Sequence, residues 1–186
     1  RSTQGYSSAA SDVYKRQDHI VNNNEAIVVE GYISAMSCWK AGIENIVAVL
    51  GTALTENHVK TLMRFTKKIV YMFDGDAAGR KAARRALEAA LPVITDVQKA
   101  GFIILPPEHD PDSLIKAEGA EGFERQIEKA YGLTDFMKKL LLEGKELMYA
   151  EERAKLVAEA KPWVLSMQHA PILRLAFIRE LAGIAR

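Results

Sequence analysis

Five consecutive β-favouring apolar residues, Ile69 to Phe73, run without a break into Asp74-Gly75-Asp76, and from Ala77 the sequence turns helical through Arg80-Lys81-Ala82-Ala83-Arg84-Arg85-Ala86-Leu87-Glu88. The stretch reads as a strand covered on both faces, then an acidic turn, then a helix. Such a strand leaves no water for a charged group, so carboxylates belong where it emerges. Asp74 and Asp76 stand at that exit, two residues apart, and in extended chain they project to the same side. Two converging anions repel, and a divalent cation relieves the repulsion. Asp-Gly is also ordinary turn chemistry, so the triplet alone leaves both readings open. An EF-hand counted from Asp74 would need an oxygen ligand at its fifth position and a glutamate at its twelfth, where Ala78 and Arg85 stand; no P-loop pattern occurs.

The same order of elements recurs along the chain. Glu25 to Val29 reads as a short buried strand ending at Glu30 and Gly31. Tyr32 to Ala41 then sets Ile33, Met36 and Trp39 at helical spacing, as core residues, before a C-capping Gly42. Ile46 to Leu50 is a second strand leaving through Gly51-Thr52, and Thr55 can cap a helix whose apolar face is Val59, Leu62, Met63 and Phe65. The helix after the acidic turn runs to about Leu91, where Pro92 stops it. Gly101 to Leu105 is a fourth strand, and Pro106-Pro107 forbids its continuation. Acids again follow the strand, in Glu108-His109-Asp110-Pro111-Asp112-Ser113. Asp112 or Ser113 can cap the next helix, and His109 reads as a solvated loop residue.

Alternating strands and helices imply an α/β fold: a parallel sheet with right-handed crossovers and helices on both faces. Parallel strands leave by one edge. Glu30, Asp74, Asp76, Asp110 and Asp112 therefore collect at the carboxyl edge, where ligands of open α/β sheets bind, and the constellation points to a metal.

Outside this unit the pattern changes. Residues 1–17 are small, polar and aperiodic and are expected to form a disordered tail not native to the fold. From residue 131 onward only helical patterns follow: one capped by Thr134, one over Glu151 to Met167 interrupted by Pro162, and one over Ile172 to Ile184. The expected division is thus residues 18–130 as the α/β unit and 131–186 as a helical subdomain.

A formal net charge of +1 gives no bulk electrostatic reason to expect nucleic acid. The single cysteine, Cys38, excludes an internal disulfide and a zinc site built on several thiolates. No apolar run approaches the roughly 18 to 20 residues of a membrane span, and no signal peptide is recognisable, so the chain is expected in the cytoplasm with no membrane partner.

Four segments, Val29-Glu30-Gly31-Tyr32, Leu50-Gly51-Thr52-Ala53-Leu54-Thr55, Phe73 to Ala83 and Asp110-Pro111-Asp112, together resemble the TOPRIM domain of bacterial DnaG-type DNA primases. The resemblance runs from about Asp18 through the C-terminal helices in the same order and spacing. It implies a TOPRIM-type sheet and an RNA polymerase that makes primers on single-stranded DNA from ribonucleoside triphosphates. By position, Glu30, Asp74, Asp76, Asp110 and Asp112 would hold Mg²⁺ or Mn²⁺. Glu30 could equally be a proton acceptor. Arg80 and Lys81 could meet phosphates, whereas Arg84 and Arg85 read as a solvated helix face.

The chain departs from the family pattern at Ser34, where members commonly carry an acid in E-G-Y-M-D. The zinc module, most of the basic subdomain and the helicase-binding domain of such primases are expected to lie outside this chain, so the replicative helicase would be met through a part not present. Two other readings stand beside the primase: a TOPRIM nuclease or topoisomerase, and a metal-binding interaction module that is catalytically incomplete.

Overall fold

The computed structural model describes residues 8–49 and 53–186, with side chains from Arg16 onward; the strand exit expected at Leu50-Gly51-Thr52 lies outside the described residues. A five-stranded sheet is built from β1 (Ala26–Val29), β2 (Ile46–Ala48), β3 (Lys68–Phe73), β4 (Lys99–Ile104) and β5 (Tyr131–Gly132) in the order β2-β1-β3-β4-β5. β1, β2, β3 and β4 pair in parallel. β1 and β4 flank β3 directly, so the three strands that end in acidic turns are neighbours.

Alternation along β3 explains why its apolar run is unbroken. Ile69, Tyr71 and Phe73 enter one core cluster, Val70 and Met72 the other. The first cluster is closed by α3 (Glu56–Leu62), α4 (Ala77–Ala90) and α6 (Leu133–Leu142), through Val59, Leu62, Ala83, Ala86, Leu87, Phe136 and Met137. Here Tyr71, Phe102 and Phe136 stack, with ring centroids 5.1 Å and 4.6 Å apart. The second cluster is closed by α2 (Tyr32–Lys40) and α5 (Pro111–Glu128), through Ala35, Cys38, Leu114 and Phe123. Each fully buried side chain of this size stabilises the fold by about 1.5–3 kcal/mol, which fixes the register and with it the strand exits. Thr55 caps α3 as expected, accepting from the His58 amide.

Five expectations are corrected, the first being that Ile33 of α2, expected in the core, is 71% exposed. The segment 8–17 is not irregular: α1 spans Ser8–Asn23 and crosses the boundary placed at residue 17. It is held by Ile20, fully buried, by Arg16 over the Trp39 ring at 4.2 Å, and by His19 against Glu44 at 2.9 Å. The sheet is not wholly parallel, because β5 pairs antiparallel with β4 inside the segment expected to lack strands. α6 starts at Leu133 with Gly132 at its N-cap, so Thr134 lies within the helix instead of capping it. Finally, α7 (Ala150–Ser166) runs through Pro162 without interruption and is followed by α8 (Pro171–Ile184).

The helical segment docks on the α/β unit through polar contacts as well as apolar ones. The Trp163 indole N–H donates to Glu88 of α4 at 3.3 Å, and the Asp96 carboxylate accepts from the Ile172 and Leu173 amides at 3.2 Å and 2.8 Å, capping α8. Among the described residues no helix is long and apolar enough to cross a membrane.

Candidate metal centre

Chain connectivity brings Asp74, Asp76 and Asp110 together. β3 ends at Phe73, and the turn that follows is pressed against the turn after β4: a Cβ on Gly75 would lie 2.0 Å from the Pro106 carbonyl oxygen, and one on Gly79 would lie 2.1 Å from that of Asp74. Only residues without a side chain permit that approach, which is why glycine stands between the two acids at position 75 and again in the first turn of the helix at 79. The Gly75 amide donates to the His109 carbonyl at 3.3 Å and ties the two turns.

Asp76 and Asp110 both serve as N-caps. Asp76 accepts from the Gly79 amide at 2.7 Å and Asp110 from the Ser113 amide at 2.7 Å, so the cap of α5 is Asp110 and not Asp112 or Ser113. In each, one carboxylate oxygen is engaged in the cap, and the other retains its acceptor capacity. The positive ends of α4 and α5 thus face the same place, a setting that favours anions. Asp74, Asp76 and Asp110 line an open cleft of about 270 Å³ with Glu108, His109 and Ser113. His109 sits half-buried there, 3.4 Å from the Ser113 hydroxyl.

The charges in this cleft oppose one another. Partial burial and then the neighbouring Asp110 and Asp76 push the Asp74 carboxyl above its ordinary range. Glu30, on the exit of β1, is likewise raised by partial burial and then by Asp74 and Asp76, with the Arg85 guanidinium pulling the other way. Glu30 and Arg85 line a second cavity of about 310 Å³, walled by Val28, Val49, Leu54 and Phe73. Arg85 remains exposed on α4, as expected of a solvated face, and also borders the cavity that Glu30 lines. No sequence signal short of the β1–α4 placement could have assigned it. Arg84 is also occupied, bonded to Glu88 at 3.1 Å and lying 5.0 Å from the Trp163 ring.

Asp112 is not brought to the cleft. One of its oxygens accepts from the Ser37 hydroxyl of α2 and the other from Lys116 at 2.6 Å, and these contacts, Lys116 foremost, hold its carboxyl below the usual range. Arg80 folds back to donate to the Gly75 carbonyl at 3.3 Å, and Lys81 is exposed on the next position of α4.

Among the described residues no group of three or more His, Cys, Asp or Glu side chains is placed to hold a metal ion by itself. The donor set nevertheless fits Mg²⁺ or Mn²⁺. Both prefer hard oxygen ligands, and Mg²⁺ commonly takes only one or two carboxylates, completing its shell with water and substrate phosphate. An open cleft with mutually repelling carboxylates supplies those donors and leaves room for the rest.

A Toprim-like family model matches residues 27–115, and a model described as the DnaB-helicase binding domain of primase matches residues 134–186. Over its whole length the chain superposes on a solved DnaG catalytic core with a TM-score of 0.91 at 35% identity, covering 60% of that chain. It belongs to the DnaG-type primase family. The chain is 38% identical to the DNA primase of Escherichia coli K12 over 171 residues, which is 92% of this chain and 29% of that protein. A DnaG primase catalytic domain solved with single-stranded DNA matches with a TM-score of 0.85 at 37% identity, over 92% of this chain and 55% of that one. The chain thus spans about a third of the curated primase it resembles. The match over residues 134–186 overturns one expectation: a segment of the kind described as helicase-binding lies within this chain, not outside it.

Proposed function

We propose that this chain carries the catalytic carboxylates of a DNA primase that joins ribonucleotides on a single-stranded DNA template. The observation that carries this reading is the adjacency of β1, β3 and β4, which sets Glu30, the Asp74/Asp76 pair and Asp110 along one edge of the sheet. Asp74, Asp76 and Asp110 form the cradle for Mg²⁺ or Mn²⁺, with Glu30 beside them as a further ligand or as acceptor of the primer hydroxyl proton. When bound, the ion lowers the hydroxyl pKa, neutralises triphosphate charge and aligns attack with departure of pyrophosphate.

The chain's own residues do the remaining work. The N-termini of α4 and α5 present backbone dipoles to the phosphates. Lys81, and Arg80 once released from the Gly75 carbonyl, supply cations at the cleft rim. Arg85 opposes, in part, the rise that burial, Asp74 and Asp76 impose on the Glu30 carboxyl. Residues 18–130 act as the catalytic unit in the bacterial cytoplasm, and 131–186 as a helical subdomain through which the replicative helicase is met.

A second reading is a metal-binding and interaction module that does not polymerise by itself. Primer synthesis from ribonucleoside triphosphates on a single-stranded template, with Mn²⁺ or Mg²⁺, separates the two. Product from the chain that disappears in Asp74→Ala, Asp76→Ala supports catalysis. Absence of product from both proteins, with saturable Mn²⁺ binding only by the unaltered chain, supports the module. Similarity to enzymes named DNA primase favours joining over the cleavage chemistry of a nuclease or topoisomerase.

A further inference from the structure

Asp112 lies two residues beyond Asp110 and yet faces away from the cleft. Its carboxylate is shared between Ser37, on the second turn of α2, and Lys116, one turn further along α5. Both of its oxygens are engaged, whereas Asp76 and Asp110 each spend one on a cap. Lys40 adds a second cation to its surroundings, a poor setting for a further positive ion. The Lys116 contact alone, exposed and within one helix, would matter little. The Ser37 contact is different, because it joins two elements 75 positions apart in sequence.

Those two elements carry opposite sides of the centre. α2 follows Glu30 by one residue, and α5 begins at the cap formed by Asp110. They pack directly through Ala35 and Cys38 on one side and Leu114 and Phe123 on the other. Apolar packing permits sliding along the helix axes, and a directional hydrogen bond from α2 to the first turn of α5 removes that freedom.

We infer that Ser37 and Asp112 are positioning residues: the Ser37–Asp112 hydrogen bond, steadied by Lys116, latches α5 to α2 and so sets the separation between the Glu30 exit and the Asp110 exit. The inference rests on the carboxylate centre proposed above. Asp112 acts on the ion from outside its coordination shell, as partners beyond the ligands commonly do.

The test is a Mn²⁺ titration of the full chain, following free Mn²⁺ by electron paramagnetic resonance, with melting temperature recorded for each variant. Ser37→Ala is expected to weaken Mn²⁺ binding about tenfold. Asp112→Asn should weaken it to a similar extent, and the double variant should be no worse than either single one, because both break one contact. Ser37→Thr should restore binding. Asp112→Asn abolishing binding as completely as Asp74→Asn would make Asp112 a ligand and overturn the latch, as would unchanged affinity in both single variants. If Asp112→Asn fails to fold, Ser37→Ala and its rescue by threonine decide alone. An unaltered chain that binds no Mn²⁺ refutes the centre itself, an outcome distinct from failure of the latch.

Discussion

The Gly75 amide donates to the His109 carbonyl across the carboxyl edge of the sheet and ties the Asp74/Asp76 turn to the Asp110 turn. The bond can form only because Gly75 packs its α-carbon against the Pro106 backbone, where a Cβ would meet the carbonyl oxygen at 2.0 Å. Gly75→Ala must push the two turns apart, since backbone cannot rotate out of the way as a side chain could. Overpacking of this kind costs about 1–3 kcal/mol, and in a chain of this size each kcal/mol lowers the melting temperature by about 2–4 °C. Calorimetry should show that fall, and Mn²⁺ binding should be lost with it. An alanine variant with native stability and native affinity would mean that the turns are not held by this contact.

Asp74 and Glu30 both carry carboxyls raised above their unfolded values by burial and by neighbouring acids. For such a group the folded state holds its proton more tightly than the unfolded chain. Its stabilising contribution is complete below the ordinary carboxylate range and is lost as pH rises through the raised value. At neutral pH without a divalent cation, the ionised pair therefore works against folding. Asp74→Asn should melt a few degrees higher than the unaltered chain in chelator at pH 7. The gap should close as pH falls through the carboxylate range, and adding Mn²⁺ should reverse the order. Thermal melts from pH 3 to pH 8, with chelator and with Mn²⁺, check all three signs.

The parts of this fold that were legible in sequence are those set by local chemistry. β3 is buried on both faces, so its apolar run, its charged exit and its following helix could be read from consecutive residues, and the parallel order then followed for β1 and β4. β5 was illegible because it comprises only Tyr131 and Gly132, both exposed, too short to show alternation. α1 was illegible because what holds it, Trp39 and Glu44, lies in later segments. Position along the chain placed Asp110 and Asp112 together, but the orientation of Asp112 depends on Ser37, a pairing no spacing rule reports. That Arg85 borders the same cavity as Glu30 follows from tertiary placement and not from spacing along the helix.

Cys38, on the inner face of α2, is fully buried, with its thiol pushed up to about 12 by burial and, secondarily, by Asp112. The thiolate is the reactive form, and at pH 8 a thiol of that pKa is ionised to only about one part in ten thousand. The native protein should not react with a disulfide reagent such as dithionitrobenzoate over hours, and one equivalent should react at once in guanidinium. Rapid titration of the native thiol would show that the α2–α5 layer opens readily.

Asp96 sits in the connection between α4 and β4 and is the polar contact that fixes the start of α8. Its carboxylate takes two amides that would otherwise be orphaned at the helix N-terminus, so its loss removes both a cap and a tie between the helical segment and the α/β unit. Replacing a capping carboxylate by alanine costs about 0.5–2 kcal/mol. Asp96→Ala should lower the melting temperature by several degrees and speed hydrogen exchange at Ile172 and Leu173 while leaving the amides of β3 protected. Because Asp96 lies beyond the C-terminal end of α4 whereas Asp76 caps its N-terminus, Mn²⁺ affinity should be unchanged. A variant that instead weakened Mn²⁺ binding would show that docking of the helical segment reaches the carboxylates through α4.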